Sequence, residues 1–334
     1  MSSDLLNKNI ILISPTYFNY EKDIQKELER RGAFVYFIDD RIKNGTFNKA
    51  LFRLKLREKI GRNNVVEYFK KHLDNNSAKK IDYVVAITPE GFSKEIIQYY
   101  KKELPDTVFI LYMWDSIGNR PYIVENLEFY EKKLTFDKND SVKYGLVFRP
   151  LFFTQDYKAI GQDKGKDFKY DLSFIGTAHS DRYNVIKKFV NGSDKKLRTF
   201  FFFYLQSPIL IIYYWITDPN FRRIRVKDIS FKSLSKKEVL QIVENSFCIM
   251  DINHPKQSGL TIRSIEVLGA KRKLVTTNKD IVDYDFYDQD NILLINRDNP
   301  VFNSSFLAKP YKEIDENTYN RYSLSDWMDD VLSI

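Results

Sequence analysis

Cysteine is nearly absent from this chain, with Cys248 the sole one in 334 residues. A single thiol excludes an intrachain disulfide and any cysteine-rich zinc site. Histidine is almost as scarce, and His72, His179 and His254 stand far apart, which speaks against a histidine-rich metal centre. Long apolar runs are missing from the amino-terminal region: Ile10 to Ser14 is too short to span a membrane, and Met1-Ser2-Ser3-Asp4 lacks the basic and then apolar layout of a secretory signal. A cytosolic location is the resulting expectation. Internal repeats and low-complexity tracts are also lacking. With 12 glycines, 10 prolines and 43% hydrophobic residues, the composition is that of a folded globular protein rather than a disordered one.

The length suffices for two domains of ordinary size, each with its own core. Lys plus Arg number 53 against 45 for Asp plus Glu, a balance of +8. That excess favours anionic partners without choosing among nucleic acid, phosphorylated ligands and an anionic membrane surface.

The first third alternates apolar runs with amphipathic stretches. Asn9 to Ser14 reads as a buried strand, Tyr20 to Arg31 as a helix stopped by Gly32, and Ala33 to Ile38 as the next strand. Lys49 to Leu73 reads as a basic helical region, Ile81 to Ile87 as a third strand, Ser93 to Glu103 as a helix and Thr107 to Trp114 as a fourth strand. This is half of a doubly wound parallel sheet, whose ligands lie beyond the carboxyl ends of the strands. Three polar segments fall at such ends: Ser14-Pro15-Thr16, Asp39-Asp40-Arg41, and Asp115 to Arg120.

The spacing predicts that Leu146 to Phe153 leaves the first sheet and that the polar stretch Lys158 to Lys169 marks a domain boundary. A second alternating series begins with the strand Tyr170 to Thr177, with His179 to Arg182 opening a helix. Ser235 to Asn245 reads as a helix with Ser235 and Glu238 as its capping box. Phe247 to Ile252, Leu274 to Thr277 and Asn291 to Ile295 read as strands, and Ser323 to Leu332 as an amphipathic helix.

The most telling segment is Gln257-Ser258-Gly259-Leu260-Thr261-Ile262-Arg263-Ser264-Ile265-Glu266-Val267-Leu268-Gly269. Gly259 frees the backbone at a helix entrance, where amide groups and the positive end of the dipole favour an anion. Glu266 follows two turns on, a rise of about 10 Å, roughly the span from a diphosphate to a ribose. An ordinary core stripe of Ile262, Ile265 and Leu268 between punctuating glycines has the same spacing.

These segments together resemble bacterial glycosyltransferases of the GT-B fold. Tyr170 to Thr177 resembles the opening strand of their second domain, Gly259 to Leu268 their donor helix, and Tyr322 to Trp327 the helix that packs back across the domain junction. Phe136-Asp137 with Pro150-Leu151-Phe152, and Gln257 to Thr261 with Thr276-Thr277-Asn278, resemble proteins of lipopolysaccharide, capsule and exopolysaccharide biosynthesis. One departure stands out: many retaining members carry two acidic residues eight positions apart, and Glu266 matches the second while Ser258 occupies the place of the first.

The resemblance implies an α/β architecture of two facing Rossmann-like domains. Residues 1–153 would bind the acceptor, 154–312 the nucleotide sugar, and 313–334 would form a crossover helix. It implies a hexosyltransferase that is metal-independent, needs no cofactor and takes a nucleotide-sugar donor, UDP-linked, as substrate. Donor contacts fall to Gly176, Thr177, Arg182, His254, Gln257, Ser258, Gly259, Leu260, Thr261, Arg263 and Glu266. Preorganised amides and arginines stabilise a leaving diphosphate, although Arg182 also reads as a solvated helix-face residue and His254 as a structural hydrogen-bond donor.

Direct displacement needs a base for the acceptor hydroxyl. Asp115 is the candidate, and an Asp in this position equally caps the following turn. Asp39, Asp40, Arg41, Ser116 and Asn119 would bind the acceptor. Phe200 to Leu205 reads as a core strand, and Ile209 to Arg225 as an interfacial helix with aromatic and arginine flanks. The expected partners are a nucleotide sugar, a lipid-linked oligosaccharide and the anionic inner face of the cell membrane, with no nucleic acid. A sugar-nucleotide epimerase on the same plan and a basic binding module are the rival readings.

Overall fold

The run Asn9–Ser14 becomes strand β1 with Ile10 to Ile13 all fully buried, because a parallel sheet covered on both faces needs apolar residues at every position. The computed structural model describes residues 5–41, 62–75, 80–162, 167–178, 180–193, 196–255, 258–301 and 305–333. Two compact units divide the chain, Met1–Arg149 with Ser325–Ile334, and Pro150–Leu324.

In the first unit, β1 is followed by α1 (Tyr20–Arg30), β2 (Phe34–Asp39), α2 (Arg62–Asp74), β3 (Tyr83–Ile87), α3 (Lys94–Glu103), β4 (Val108–Met113), β5 (Lys132–Thr135), α4 (Lys138–Tyr144) and β6 (Val147–Phe148). The six strands run parallel in the order β2-β1-β3-β4-β5-β6. The order reverses between β1 and β3, so a crevice is expected beyond their carboxyl ends. Two strands escaped the sequence reading. Leu134 and Thr135 of β5 pair with Val147 and Phe148 of β6, so the stretch from Leu146 onward begins inside the sheet rather than leaving it. The remainder of the basic region, 49–61, lies outside the described residues.

In the second unit the elements are α5 (Gln155–Gln162), β7 (Tyr170–Thr177), α6 (Arg182–Asn191), β8 (Thr199–Tyr204), α7 (Ile209–Thr217), β9 (Ile229–Ser230), α8 (Lys236–Glu244), β10 (Ser246–Asp251), α9 (Ile262–Gly269), β11 (Lys273–Thr276), β12 (Ile292–Leu294), α10 (Ser305–Ala308) and α11 (Glu316–Arg321). Its six parallel strands lie in the order β12-β11-β10-β7-β8-β9, reversing between β7 and β10. The Ser235 and Glu238 capping box opens α8. Part of the predicted polar boundary is helical, since α5 extends to Gln162 within this unit. Helices α5 and α9 approach so closely that a Cβ on Gly161 would sit 2.6 Å from the Gly269 carbonyl oxygen.

The last helix, α12 (Leu324–Leu332), packs on the first unit from Ser325 onward. Trp327 is fully buried and meets the Tyr112 ring edge-on at 4.8 Å. Arg31, itself buried, donates to the Ser325 carbonyl at 2.6 Å and pairs with the Asp329 carboxylate.

Candidate functional site

Helix α9 starts at Ile262, three residues later than the expected opening at Gly259, which holds φ +73°; Thr261 is the N-cap, its hydroxyl accepting from the Ser264 N–H. The entrance is not bare. Asp251, at the end of β10, accepts from the hydroxyls of Thr261 and Ser264, the latter at 2.6 Å. The Gly259 N–H donates to Asp280 at 3.1 Å, while Asn278 donates to the Gly259 carbonyl at 2.6 Å. Two carboxylates of the chain thus stand where the sequence reading put a diphosphate. An incoming anion would have to take the Gly259 amide from Asp280. Leu260 is buried, Ser258 and His254 are half-buried, and Gln257 lies outside the described residues.

Glu266 departs furthest from expectation. Its side chain is only 2% exposed and pairs with Arg263 at 2.7 Å. Tyr157 of α5, also buried, hydrogen-bonds to the same pair. Burial first, and then the negative charge of Glu266, hold the Tyr157 hydroxyl well above its ordinary range, so it stays a proton donor. The close α5 and α9 packing creates this buried triad, which sequence spacing could not show because Tyr157 lies 109 positions before Glu266.

At the reversal between β7 and β10, Arg182 spans the crevice. Its Nε donates to the Ile252 carbonyl at 2.7 Å and its Nη1 to the Thr177 hydroxyl at 2.8 Å. Arg182 is therefore a strap across two strand ends rather than a solvated residue. Gly176, one residue before Thr177, sits against the Phe174 ring, 2.6 Å from where a Cβ would stand.

Beside it opens a cleft of about 350 Å³, formed by residues that follow β10, β11 and β12. Arg297 organises its floor. One guanidinium nitrogen meets Asp181 at 2.5 Å, and the other reaches the Asn253 carbonyl at 2.7 Å and the Thr277 hydroxyl at 3.0 Å. Asn278 and Asp280, the partners of Gly259, are also in its walls, as is Lys279. Among the described residues, none of the predicted donor contacts lines this cleft. The missed signal was positional: Asn296-Arg297-Asp298, like Thr277-Asn278 of the resemblance, is a polar group just past a strand end. Amide and guanidinium groups beside apolar Ile295 and Pro255 suit a planar, polar ligand.

In the first unit, Asp115 accepts from the Ser116 N–H and the Asn119 amide, both at 2.9 Å, and from Arg120 Nε at 3.0 Å. It does cap its own turn. Arg120 also pairs at 2.9 Å with Glu90, whose side chain is 5% exposed, and Glu90 with Arg41 at 2.8 Å. Asp39 is held by the Thr16 hydroxyl at 2.8 Å. Asp40, expected beside the acceptor, is instead buried and ties down the loop after β3 through the N–H groups of Glu90, Gly91 and Phe92.

The same strand ends carry an aromatic group. Tyr17 stands 4.6 Å from Phe18 and 6.4 Å from Trp114, ring to ring, with Tyr17 and Phe18 exposed. Phe18, Asn19 and Thr88 hold positive φ values of 52°, 65° and 40°. Such backbone conformations are costly for residues with side chains and collect at functional sites.

Burial pushes the Asp40 carboxyl from 3.8 to about 6, against the pull of its N–H donors. Because the folded value is the higher, its contribution to stability is fully present below about pH 4 and is lost as pH rises through about 6. Unfolding of the wild type and Asp40→Asn should therefore show a stability difference that falls by about 1–3 kcal/mol from pH 4 to pH 7. A difference independent of pH would show that Asp40 does not titrate in this way.

No protein-family model matches the sequence, and no curated protein matches it. Solved structures do match. A glycosyltransferase from Rickettsia africae superposes with a TM-score of 0.62 at 11% identity, covering 97% of this chain and 96% of that one. Anabaena HepE, solved with UDP and glucose, gives 0.56 at 9% identity over 96% and 97%. The UDP-GlcNAc 2-epimerase of Methanocaldococcus jannaschii, solved with UDP-GlcNAc and UDP, gives 0.52 at 13% identity over 98% and 99%. At these identities the likeness is one of fold. The chain has the two-domain α/β architecture of GT-B proteins, with two parallel six-stranded sheets and interleaved helices.

Proposed function

We propose that this chain is a glycosyltransferase that moves a sugar from a nucleotide donor, held by the Pro150–Leu324 unit, to a saccharide acceptor held by the Met1–Arg149 unit. The observation that carries the reading is the polar cleft around Arg297, which shares Asn278 and Asp280 with the glycine-opened entrance of α9. Its volume lies in the range of small-molecule sites, and its place beyond the carboxyl ends of parallel strands is where such sheets bind nucleotides.

In the reaction the bond from the anomeric carbon to the donor phosphate breaks, and the nucleoside diphosphate leaves with the electron pair. The acceptor oxygen bonds to that carbon, and its proton passes to Asp115. Lys279 and Arg297, both in the cleft, supply positive charge for the diphosphate, and the proposed chemistry is metal-independent. A UDP-linked hexose is the proposed donor, by analogy with HepE and its bound UDP and glucose. Asp39, Arg41, Ser116 and Asn119 would hold acceptor hydroxyls, with Tyr17, Phe18 and Trp114 as stacking faces for sugar rings. The proposed acceptor is a lipid-linked saccharide of a surface polysaccharide, glycosylated at the cytosolic face of the membrane.

A thermal-shift panel of nucleotides and nucleotide sugars tests the donor assignment. A ligand that binds only the folded state at a hundredfold excess over its Kd adds about 2.7 kcal/mol. UDP and one or more UDP-sugars should raise the melting temperature, and Arg297→Ala should abolish the rise. A panel without any shift would sink the donor reading. Turnover of the nucleotide sugar to its epimer without an acceptor would replace transfer by epimerisation.

A further inference from the structure

Between β8 and β9 the chain forms α7, Ile209–Thr217, whose sequence ILIIYYWIT contains no charged residue and of which no residue is buried. Leu210, Ile211 and Tyr214 lean on the core of the unit, which accounts for one face. Ile209, Ile212, Tyr213 and Ile216 recur at i, i+3, i+4 and i+7 and make a second apolar stripe, 58 to 72% exposed. A helix apolar all round is normally enclosed, by protein or by lipid. This one is open on its outer face. Nine residues rise about 13.5 Å, less than half of a bilayer's hydrocarbon core, and no helix among the described residues is long and apolar enough to cross a membrane.

Cations border the stripe. The Arg222 guanidinium lies over the Trp215 ring at 5.5 Å, and its Nε donates to the Trp215 carbonyl at 2.7 Å, which fixes a positive charge at the carboxyl end of the helix. Arg223, Arg225 and Lys227 follow, all exposed. From 206 to 232 five cations, Arg222, Arg223, Arg225, Lys227 and Lys232, face two carboxylates, Asp218 and Asp228, a local balance of +3.

We propose that α7 is a membrane-docking surface that seats in the plane of an anionic phospholipid bilayer. Its isoleucine and tyrosine stripe enters the boundary between head groups and acyl chains, and the arginines meet lipid phosphates. Charge chooses the occupant: a second copy packed symmetrically on this face would bring its own basic run against this one, whereas an anionic surface complements it. The assignment deepens the proposal of a lipid-linked acceptor but uses no residue of the nucleotide cleft, so the two fail separately.

Flotation of the full chain with vesicles of phosphatidylcholine, alone or with about a third phosphatidylglycerol, tests it. The chain should float with the anionic vesicles at low salt and bind about tenfold less well at high salt. Tryptophan emission should shift to the blue on binding, and Trp215→Phe should lose that shift. Ile212→Ser/Ile216→Ser should reduce vesicle binding about tenfold or more, while its circular-dichroism melt and its response to UDP-sugars match those of the wild type. Wild-type protein left behind by anionic vesicles, equal binding to neutral vesicles at every salt concentration, or unchanged binding by the double variant would each overturn the assignment. A dimer in sedimentation that the double variant dissolves, with no vesicle binding, would give the face to a second copy instead.

Discussion

Glu266→Ala is expected to lower the stability of the Pro150–Leu324 unit by about 3–5 kcal/mol, not only to weaken nucleotide binding. Sequence spacing alone would predict an intact fold, because an Arg and a Glu three apart on a helix are ordinarily a solvated pair. Burial reverses that expectation. Removing the carboxylate leaves the Arg263 guanidinium, 19% exposed, and the Tyr157 hydroxyl without their shared acceptor. Arg263→Met/Glu266→Leu, which removes both charges together, should recover most of the loss. Calorimetry of the two single variants and the double variant measures the coupling. Wild-type stability of Glu266→Ala would contradict the buried triad. Glu266→Gln separates the ligand question from folding, since it keeps size and an acceptor oxygen. If the carboxylate accepts from a ribose in the bound state, donor affinity should fall about tenfold, or 1.4 kcal/mol. Unchanged affinity would confine Glu266 to holding α5 against α9.

The difference between the two readings of Glu266 shows what a sequence carries and what it does not. Strands such as Asn9–Ser14 and Tyr170–Thr177 were legible because fully covered parallel strands write themselves as unbroken apolar runs. The turn at Gly259 was legible because a positive φ selects glycine, whereas the Thr261 N-cap and the helix start at Ile262 were not picked out. Strand β5 was not, since two of its four residues are lysines and its place in the sheet is set by neighbours far along the chain. The cleft was missed for a similar reason. Arg297 and Asn253 are unremarkable in sequence, and they join Thr277 in one hydrogen-bonded group only when β10, β11 and β12 align their carboxyl ends. The outer stripe of α7 was legible as apolar sequence, but whether it faced core or solvent depended on which three residues the unit's core took.

Asp115→Asn should depress turnover by about 10²–10⁴-fold while leaving UDP-sugar binding to the other unit intact. The substitution keeps volume and an acceptor oxygen for the Ser116 N–H and the Asn119 amide. It sets an amide NH₂ against Arg120 Nε in place of Oδ2, so some loss could come from a disturbed turn rather than from lost basicity. Arg120→Gln is the control, because it breaks the same ion pair and leaves the carboxylate in place. If Asp115 takes the acceptor proton, kcat should fall far more in Asp115→Asn than in Arg120→Gln, and its dependence on pH should lose the limb that reports the base. Equal losses in both variants would make Asp115 a positioning residue of the loop after β4. Near-wild-type turnover of Asp115→Asn would leave the half-buried Asp39 as the carboxylate next in line, since Asp40 already spends both oxygens on the backbone of Glu90 to Phe92.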